Sequence, residues 1–149
     1  MLHVAFSNRQ RLLKPDRPLL RRLCRAAAPE EWDGCELAVT LVDDAEIAEM
    51  NWGFLGEDGP TDVLAFPLEG PDGSERPVVG EVVVSAERAL AEAAARGLEP
   101  REELALYVVH GVLHLAGHDD HDAGQRARMQ EREREVLAAE GLRRDAATA

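Results

Sequence analysis

The sequence predicts a single α+β domain in which a small mixed β-sheet is packed with about five helices. Its 149 residues suit one hydrophobic core. Short apolar runs that predict strands are interspersed with longer segments of helical periodicity, and neither an internal repeat nor a linker divides the chain. The domain is assigned to residues 1–145, and residues 146–149 are assigned to a frayed tail. Fraying is predicted to begin before the tail, over the whole segment RRDAATA that follows the last helix.

Four short segments are predicted to form the strands of the sheet. Each is rich in apolar residues and contains at least one β-branched residue, and turn-forming residues lie close to their ends. The polar segments GEDGP (56–60) and EGPDGSERP (69–77) are typical of turns and loops. The predicted strands are LHVAF (2–6), CELAVTLV (35–42), TDVLAFPL (61–68) and VVGEVVVS (78–85).

Five segments are predicted to be helices from their apolar spacing and from the residues at their ends. Asp43 and Ser85 are N-cap residues by type, and Glu46 completes a capping-box pattern with Asp43. Pro100 suits the first turn of a helix, and a glycine follows each of the last three segments. The predicted helices are 18–28, a short helix after Asp43 with Ile47, Met50, Trp52 and Leu55 as a buried stripe, 86–96, about 100–116, and about 123–140.

The charge distribution is uneven. A net charge of −12 argues against general binding of nucleic acid. The first 25 residues nevertheless hold seven cations against the single anion Asp16. One hypothesis is that this basic patch binds a phosphate backbone locally, and the other is that it is a solvated helix face. The seven cations are Arg9, Arg11, Lys14, Arg17, Arg21, Arg22 and Arg25.

The composition also bears on where the protein acts. The most apolar stretch, LALYVVHGVLHLAG, is shorter than the roughly 20 residues that a spanning helix needs. The N-terminus has too short an apolar run for a secretory signal. Cys24 and Cys35 lie in unrelated contexts, as expected of reduced, buried thiols. We therefore expect a cytoplasmic protein with no membrane partner.

Residues 110–122, HGVLHLAGHDDHD, contain four of the chain's five histidines and three aspartates. His110 and His114 are four residues apart on a predicted helix that is apolar nearly all round, so both imidazoles share one face of a buried helix. One hypothesis is that each imidazole only hydrogen-bonds a backbone carbonyl. The other is that Gly117 lets the chain fold back and brings a third ligand to a zinc site with an open position. That metal site would lie on the buried helix and the following turn.

Gly111 bears on which reactions such a metal site could catalyse. The zinc-peptidase motif His-Glu-x-x-His has a glutamate general base directly after its first histidine. That position is Gly111 here, which counts against proteolysis. A metal could still lower the pKa of water to about 7 and polarise a phosphoryl or carbonyl oxygen.

Three blocks of the sequence resemble one known family. HGVLHLAG followed by HDDHD is similar to the family pattern His-Gly-x-Leu-His-Leu-x-Gly-x-Asp-His. GPTDVLAFP (59–67) resembles its Pro-Thr-Asp-Val-Leu-Ser-Phe-Pro block, and GEVVVS (80–85) resembles its Gly-Asp-Ile-x-Ile-Ser strand. On these blocks the chain resembles the YbeY family, bacterial rRNA maturation factors described as zinc-dependent endoribonucleases.

The resemblance implies a metal site but leaves its third ligand open. The family has its third histidine ten residues after the first, where this chain has Asp120, and His121 follows immediately. The family's methionine lies nine residues beyond that ligand, and Met129 is nine beyond Asp120. A carboxylate is a suitable zinc donor. The implied ligands of one Zn²⁺ per chain are His110, His114 and Asp120, with His121 as the alternative third ligand.

The resemblance also implies an activity. It implies cleavage of single-stranded RNA, processing of the 16S rRNA 3′ end, ribosome quality control and contact with the small subunit or its precursors. No catalytic general base and no RNA-binding residue is assigned. The alternatives are a ribosome-assembly binding factor with a mainly structural metal and a metal-dependent hydrolase of another substrate.

Three further positions carry expectations. Leu55 stands near the place where many family members carry an arginine, so the basic N-terminal helix is the candidate for holding RNA phosphate. Asp62 is either a partner that orients a ligand histidine or a turn residue that caps its own backbone. His118 is expected to line the cleft.

Overall fold

The computed structural model describes residues 1–56, 61–68 and 76–146, with only the backbone of residues 54 and 55. Most of the two predicted polar loops and the last three residues of the tail lie outside the described residues. The elements are β1 (His3–Asn8), α1 (Arg17–Ala27), β2 (Glu36–Val42), α2 (Asp44–Met50), β3 (Val63–Pro67), β4 (Val78–Ser85), α3 (Ala86–Arg96), α4 (Pro100–Leu115) and α5 (Ala123–Ala138).

The sheet has the strand order β1-β2-β4-β3. The strands β1, β2 and β4 are parallel, and β3 runs antiparallel to β4 with Val63 opposite Val84 and Pro67 opposite Gly80. A proline is tolerated in β3 because this strand lies at the edge of the sheet. The prediction of one α+β domain with a small mixed sheet is confirmed.

Helix α4 is the central helix of the fold. Most of its side chains from Leu104 to Leu113 are buried, and it packs against β3, β4, α1, α3 and α5. It approaches the sheet so closely that a Cβ atom at Gly111 would lie 2.5 Å from a methyl group of Val82. The C-terminal half of α4, which carries His110 and His114, is therefore held against β3 and β4.

The predicted caps hold the helix ends. The side chains of Asp43 and Ser85 accept hydrogen bonds from the backbone amides of Glu46 and Arg88 at 2.9 and 3.0 Å. Asp122 caps α5 in the same way. Because N-cap side chains satisfy amides that have no partner inside the helix, these residues define where the helices begin.

Two expectations about side-chain burial are wrong. Ile47 is buried, but Trp52 of the predicted stripe is 62% exposed. Trp52 is five residues after Ile47, and at about 3.6 residues per turn this spacing places it far round the helix from Ile47 rather than on the same stripe. Asn51–Leu55 forms a π-helical turn, and the side chain of Leu55 lies outside the described residues. Cys24 is buried, which raises the pKa of its thiol to about 12, whereas Cys35 is only partly buried.

The segment RRDAATA (143–149) was predicted to fray, but its first residues pack on the fold, and residues 147–149 lie outside the described residues. Leu142 is buried in the core. Arg143 donates from its guanidinium to Glu102 at 2.7 Å, and Arg144 donates to Glu133 at 2.8 Å. Two buried carboxylates thus hold residues 142–145 against α4 and α5.

Among residues 1–56, 61–68 and 76–146, no helix combines the length and hydropathy that a membrane crossing requires.

The Glu102–Arg143 pair gives a prediction about stability. Glu102 is 3% exposed, and its hydrogen bonds with Arg143 lower the pKa of its carboxyl from 4.5 to about 2. Arg143→Ala should lower the free energy of unfolding at pH 7, because it leaves the buried charge of Glu102 without its main partner. Since the folded-state pKa is depressed, this contribution is present above pH 4.5 and is lost as the pH falls towards 2.

Chemical denaturation at several pH values measures this effect. The control is Arg101→Ala, because Arg101 pairs with Glu99 on the exposed surface and should contribute less than about 1 kcal/mol. A difference between wild type and Arg143→Ala that stayed constant from pH 7 to pH 2 would contradict the assignment to Glu102.

Candidate metal centre

A pocket of about 300 Å³ lies between the edge strand β3 and the C-terminal end of α4. Residues 63–65 of β3 form one wall. His110, Gly111 and His114 form another, and Asp120 from the following turn completes the lining. The structure therefore brings His110, His114 and Asp120, which the sequence analysis singled out, to one pocket.

The two histidines share one face of α4. Their ring centroids are 6.4 Å apart and the ring planes are nearly parallel, at 15°. His110 is half-buried and His114 is exposed, so the pair extends from the packed part of the helix to the solvent. This arrangement follows from the i, i+4 spacing, which stacks side chains one turn apart.

The turn after α4 brings carboxylates to His114. Gly117 has a φ of 101°, a conformation that favours glycine, and the backbone N–H of His118 donates to the carbonyl oxygen of Leu113 at 3.0 Å. As a result one donor atom from each of His114, Asp119 and Asp120 lies within 4.8 Å of the other two, and among the described residues this group does not include His110. Asp119 was not among the predicted ligands, and only its place beside Asp120 in the sequence could have suggested it.

The other two histidines of the cluster lie elsewhere. The side chain of His121 is 79% exposed, and its Nε2 atom is 3.0 Å from a carboxylate oxygen of Asp119. His118 is exposed as well. Neither is among the described residues that line the pocket, so the expectation that His118 lines the cleft is not met. Which of Asp120 and His121 is a ligand stays a prediction.

A buried carboxylate orients His110. The Nδ1 atom of His110 lies 2.8 Å from a carboxylate oxygen of Glu133, a residue of α5 that is 1% exposed. Burial lowers the pKa of His110, but the hydrogen bond and the negative charge of Glu133, with smaller contributions from Asp62 and Asp120, outweigh it and raise the pKa above its usual value.

Glu133 was not predicted from the sequence. A signal was present, since Glu133 is four residues after Met129 and three before Val136, both of which are buried. That spacing places it on the apolar face of α5. A charged residue on such a face needs a specific partner, which His110 and Arg144 provide.

Asp62 caps its own stretch of backbone, the turn role predicted for it as one of two alternatives. Its carboxylate accepts hydrogen bonds from the backbone N–H of Val63 at 2.9 Å and from the hydroxyl of Thr61 at 3.3 Å. It therefore caps the start of β3, next to the pocket.

The basic N-terminal patch is partly engaged within the fold. Arg9 pairs with Glu46, and Arg22 pairs with Glu140. Arg21 stacks on the ring of Phe6, and Arg25 donates to the carbonyl of Leu2. Exposed cations remain in this patch at Arg11, Lys14 and Arg17.

Comparison with known proteins identifies the family of the chain. The family model for endoribonuclease YbeY matches residues 7–141, which contain every element that forms the pocket. The chain belongs to the YbeY family. The resemblance that the sequence motifs carry is confirmed.

Individual relatives support the assignment. An endoribonuclease YbeY of Chloroflexus aurantiacus is 40% identical over 140 residues, covering 87% of this chain and 90% of the relative. One of Moorella thermoacetica is 41% identical, covering 84% and 86%. The solution structure of TM1509 from Thermotoga maritima is similar, with a TM-score of 0.59 and 28% identity over 93% of this chain and 91% of that one.

Substitution of Gly111 tests how closely α4, which carries His110 and His114, must approach the sheet. In Gly111→Ala the new methyl group would lie 2.5 Å from one methyl of Val82 and 3.1 Å from one of Val63. Both valines are β-branched and have little freedom to move. The free energy of unfolding should fall by about 1–3 kcal/mol because the helix or the sheet must shift.

The matched control is Gly124→Ala in α5. There the nearest atom to a new Cβ is 3.4 Å away, and alanine favours helix by about 1 kcal/mol over glycine, so stability should not fall. Thermal or chemical denaturation measures the stability of both variants. A Gly111→Ala protein as stable as wild type would contradict the packing argument.

Proposed function

We propose that this protein is a zinc-dependent endoribonuclease that cleaves single-stranded RNA. On this proposal it acts in the cytoplasm, in the maturation of the 16S rRNA 3′ end and in ribosome quality control, with the small subunit or its precursors as partner. The observation that supports it is the pocket of His110, His114 and Asp120 in a chain of the YbeY family.

The donor set fits zinc. Imidazole nitrogen and carboxylate oxygen are both favourable zinc ligands. We assign His110 through its Nε2 atom, His114 and Asp120 as the ligands. Asp120 is preferred to His121 because Asp120 lines the pocket and His121 does not. Asp119 lies close enough to Asp120 and His114 to add a further oxygen donor.

The chemistry divides between the ion and the chain. Bound zinc would supply Lewis acidity, which activates water and stabilises negative charge on a phosphoryl oxygen. The chain supplies β3, an edge strand that forms a wall of the pocket, and exposed cations close to the turn. Arg126 donates to the carbonyl oxygen of Asp120 at 3.3 Å, and Arg128 is exposed one half-turn further along α5. Both arginines stand where they can bind RNA phosphates. No residue is assigned as general base.

The acidity of the protein favours one alternative. With a net charge of −12 and a basic patch partly engaged within the fold, the chain could act mainly as a ribosome-assembly factor whose metal is structural. The two proposals differ in whether purified protein cuts RNA.

The deciding experiment measures zinc content and cleavage of a single-stranded RNA by the full chain. His114→Ala and Asp120→Ala should each lose bound zinc and lower cleavage at least about 100-fold, since both remove a proposed ligand. His121→Ala is the control and should leave zinc content and rate within about threefold of wild type.

The outcomes separate the alternatives. Cleavage by metal-free protein at the wild-type rate would overturn the zinc mechanism. Full zinc content without cleavage would favour the assembly factor. Loss of zinc in His121→Ala but not in Asp120→Ala would move the third ligand to His121.

Zinc affinity should also depend on pH in a defined direction. Zinc binds only the neutral imidazole, so protons compete with it. Because the pKa of His110 is raised in the metal-free protein, affinity should already fall as the pH is lowered through a range above the usual histidine value of about 6.5. Competition with a chromophoric chelator between pH 8 and pH 6 measures this, and an affinity that did not change over that range would contradict it.

A further inference from the structure

Glu133 lies between a proposed metal ligand and an arginine from the end of the chain. One of its carboxylate oxygens is 2.8 Å from Nδ1 of His110, and the other accepts a hydrogen bond from Nε of Arg144 at 2.8 Å. The side chain of Glu133 is 2% exposed and that of Arg144 is 16% exposed. Each oxygen of the carboxylate thus has one partner in a nearly dry environment.

This arrangement determines which ring nitrogen of His110 carries hydrogen. A carboxylate that accepts from a guanidinium offers only acceptor atoms, so Nδ1 of His110 must donate to it. In the neutral ring the Nε2 atom then has a free lone pair. Nε2 is the atom through which His110 would bind zinc in the proposed function.

Arg144 is itself held in place. Its carbonyl oxygen accepts from Arg96 at 2.6 Å, and its guanidinium also donates to Asp145 at 2.6 Å. Its neighbour Arg143 is clamped on Glu102. Arg144 lies beyond residues 7–141, the part that the family model matches, so this contact belongs to the C-terminal segment of this chain.

We propose that Glu133, locked by Arg144, is a positioning residue that holds His110 in the tautomer with Nε2 free for zinc. The proposal rests on the proposed metal site. It makes the C-terminal segment part of that site, although no residue of the segment lines the pocket.

A single substitution tests the hydrogen-bond logic. Glu133→Gln keeps the size of the side chain but replaces one acceptor oxygen by an NH₂ donor. The guanidinium of Arg144 can only donate, so it takes the remaining oxygen, and the NH₂ group faces Nδ1 of His110. Nδ1 must then accept, which moves the ring hydrogen to Nε2 and blocks the metal-binding atom.

Two measurements on the full chain follow from this. In metal-free protein at alkaline pH, where the ring is neutral, long-range ¹H–¹⁵N NMR of the histidine rings should show hydrogen on Nδ1 of His110 in wild type and on Nε2 in Glu133→Gln. Zinc affinity, measured by chelator competition, should fall about 10–100-fold in Glu133→Gln, the range typical for loss of a partner that orients a ligand.

The double variant gives the sharpest outcome. In Glu133→Gln with Arg144→Met, no guanidinium claims the amide oxygen, so the glutamine can turn that oxygen towards Nδ1. The Nδ1–H tautomer should return, and zinc affinity should rise to within about tenfold of wild type. A structural defect would instead grow worse with the second substitution.

Glu46→Gln is the control. Glu46 pairs with Arg9 at 2.9 Å, so it is a carboxylate–arginine pair outside the contacts that hold Arg144 and His110. The substitution should leave the tautomer and the zinc affinity unchanged. An equal loss of affinity in Glu46→Gln would overturn the proposal.

Two other results would overturn it. One is an unchanged His110 tautomer in Glu133→Gln, and the other is a double variant that binds zinc no better than the single one. The NMR measurement needs neither zinc nor RNA. If wild-type protein bound no zinc, the proposed function would fail while the role of Glu133 in fixing the tautomer would still be decided.

Discussion

Helix α4 is apolar on nearly all of its circumference, and such a helix is stable only when other elements cover it. The sheet covers one side, and α1, α3 and α5 cover the others. Gly111 removes the side chain at the point of closest approach to Val82 and Val63. His110 and His114 lie at the end of this contact, where the helix emerges beside the edge strand. The packing of α4 therefore determines where the two imidazoles lie.

The core around α4 also buries three carboxylates. Glu102 and Glu103 of α4 and Glu133 of α5 are each no more than 3% exposed. Removing a carboxylate from water costs several kcal/mol unless an oppositely charged partner and hydrogen bonds compensate. Each of the three has an arginine, supplied by Arg143, Arg96 and Arg144 respectively. Two of these arginines come from the segment after α5, so the core accepts its charged groups only when the end of the chain folds back onto it.

Much of this could be predicted from local sequence signals. The strand 78–85 and the start of α4 at Pro100 are where the pattern places them, because β-branched runs, N-caps and proline act over a few residues. The i, i+4 spacing likewise brought His110 and His114 to one face of a helix. The partner of His110 was harder to predict from the sequence, because Glu133 contacts His110 only through the packing of α5 on α4. Residues 143–145 were wrongly predicted to fray, because a contact such as that of Arg143 with Glu102, 41 residues earlier in the chain, is shown by no local pattern.

The hydrogen bond between Glu133 and His110 connects the C-terminal segment with the pocket. Arg144 and His110 share one carboxylate, so the position of the C-terminal segment and the orientation of the imidazole are coupled. Such coupling is reciprocal: if an ordered Arg144 favours the ring orientation that binds metal, bound metal favours the ordered segment to the same extent. On the proposed site, part of the free energy of metal binding would therefore stabilise residues 142–145. On the same proposal, the buried carboxylate of Glu133 costs free energy in folding and would connect the C-terminal segment to the pocket.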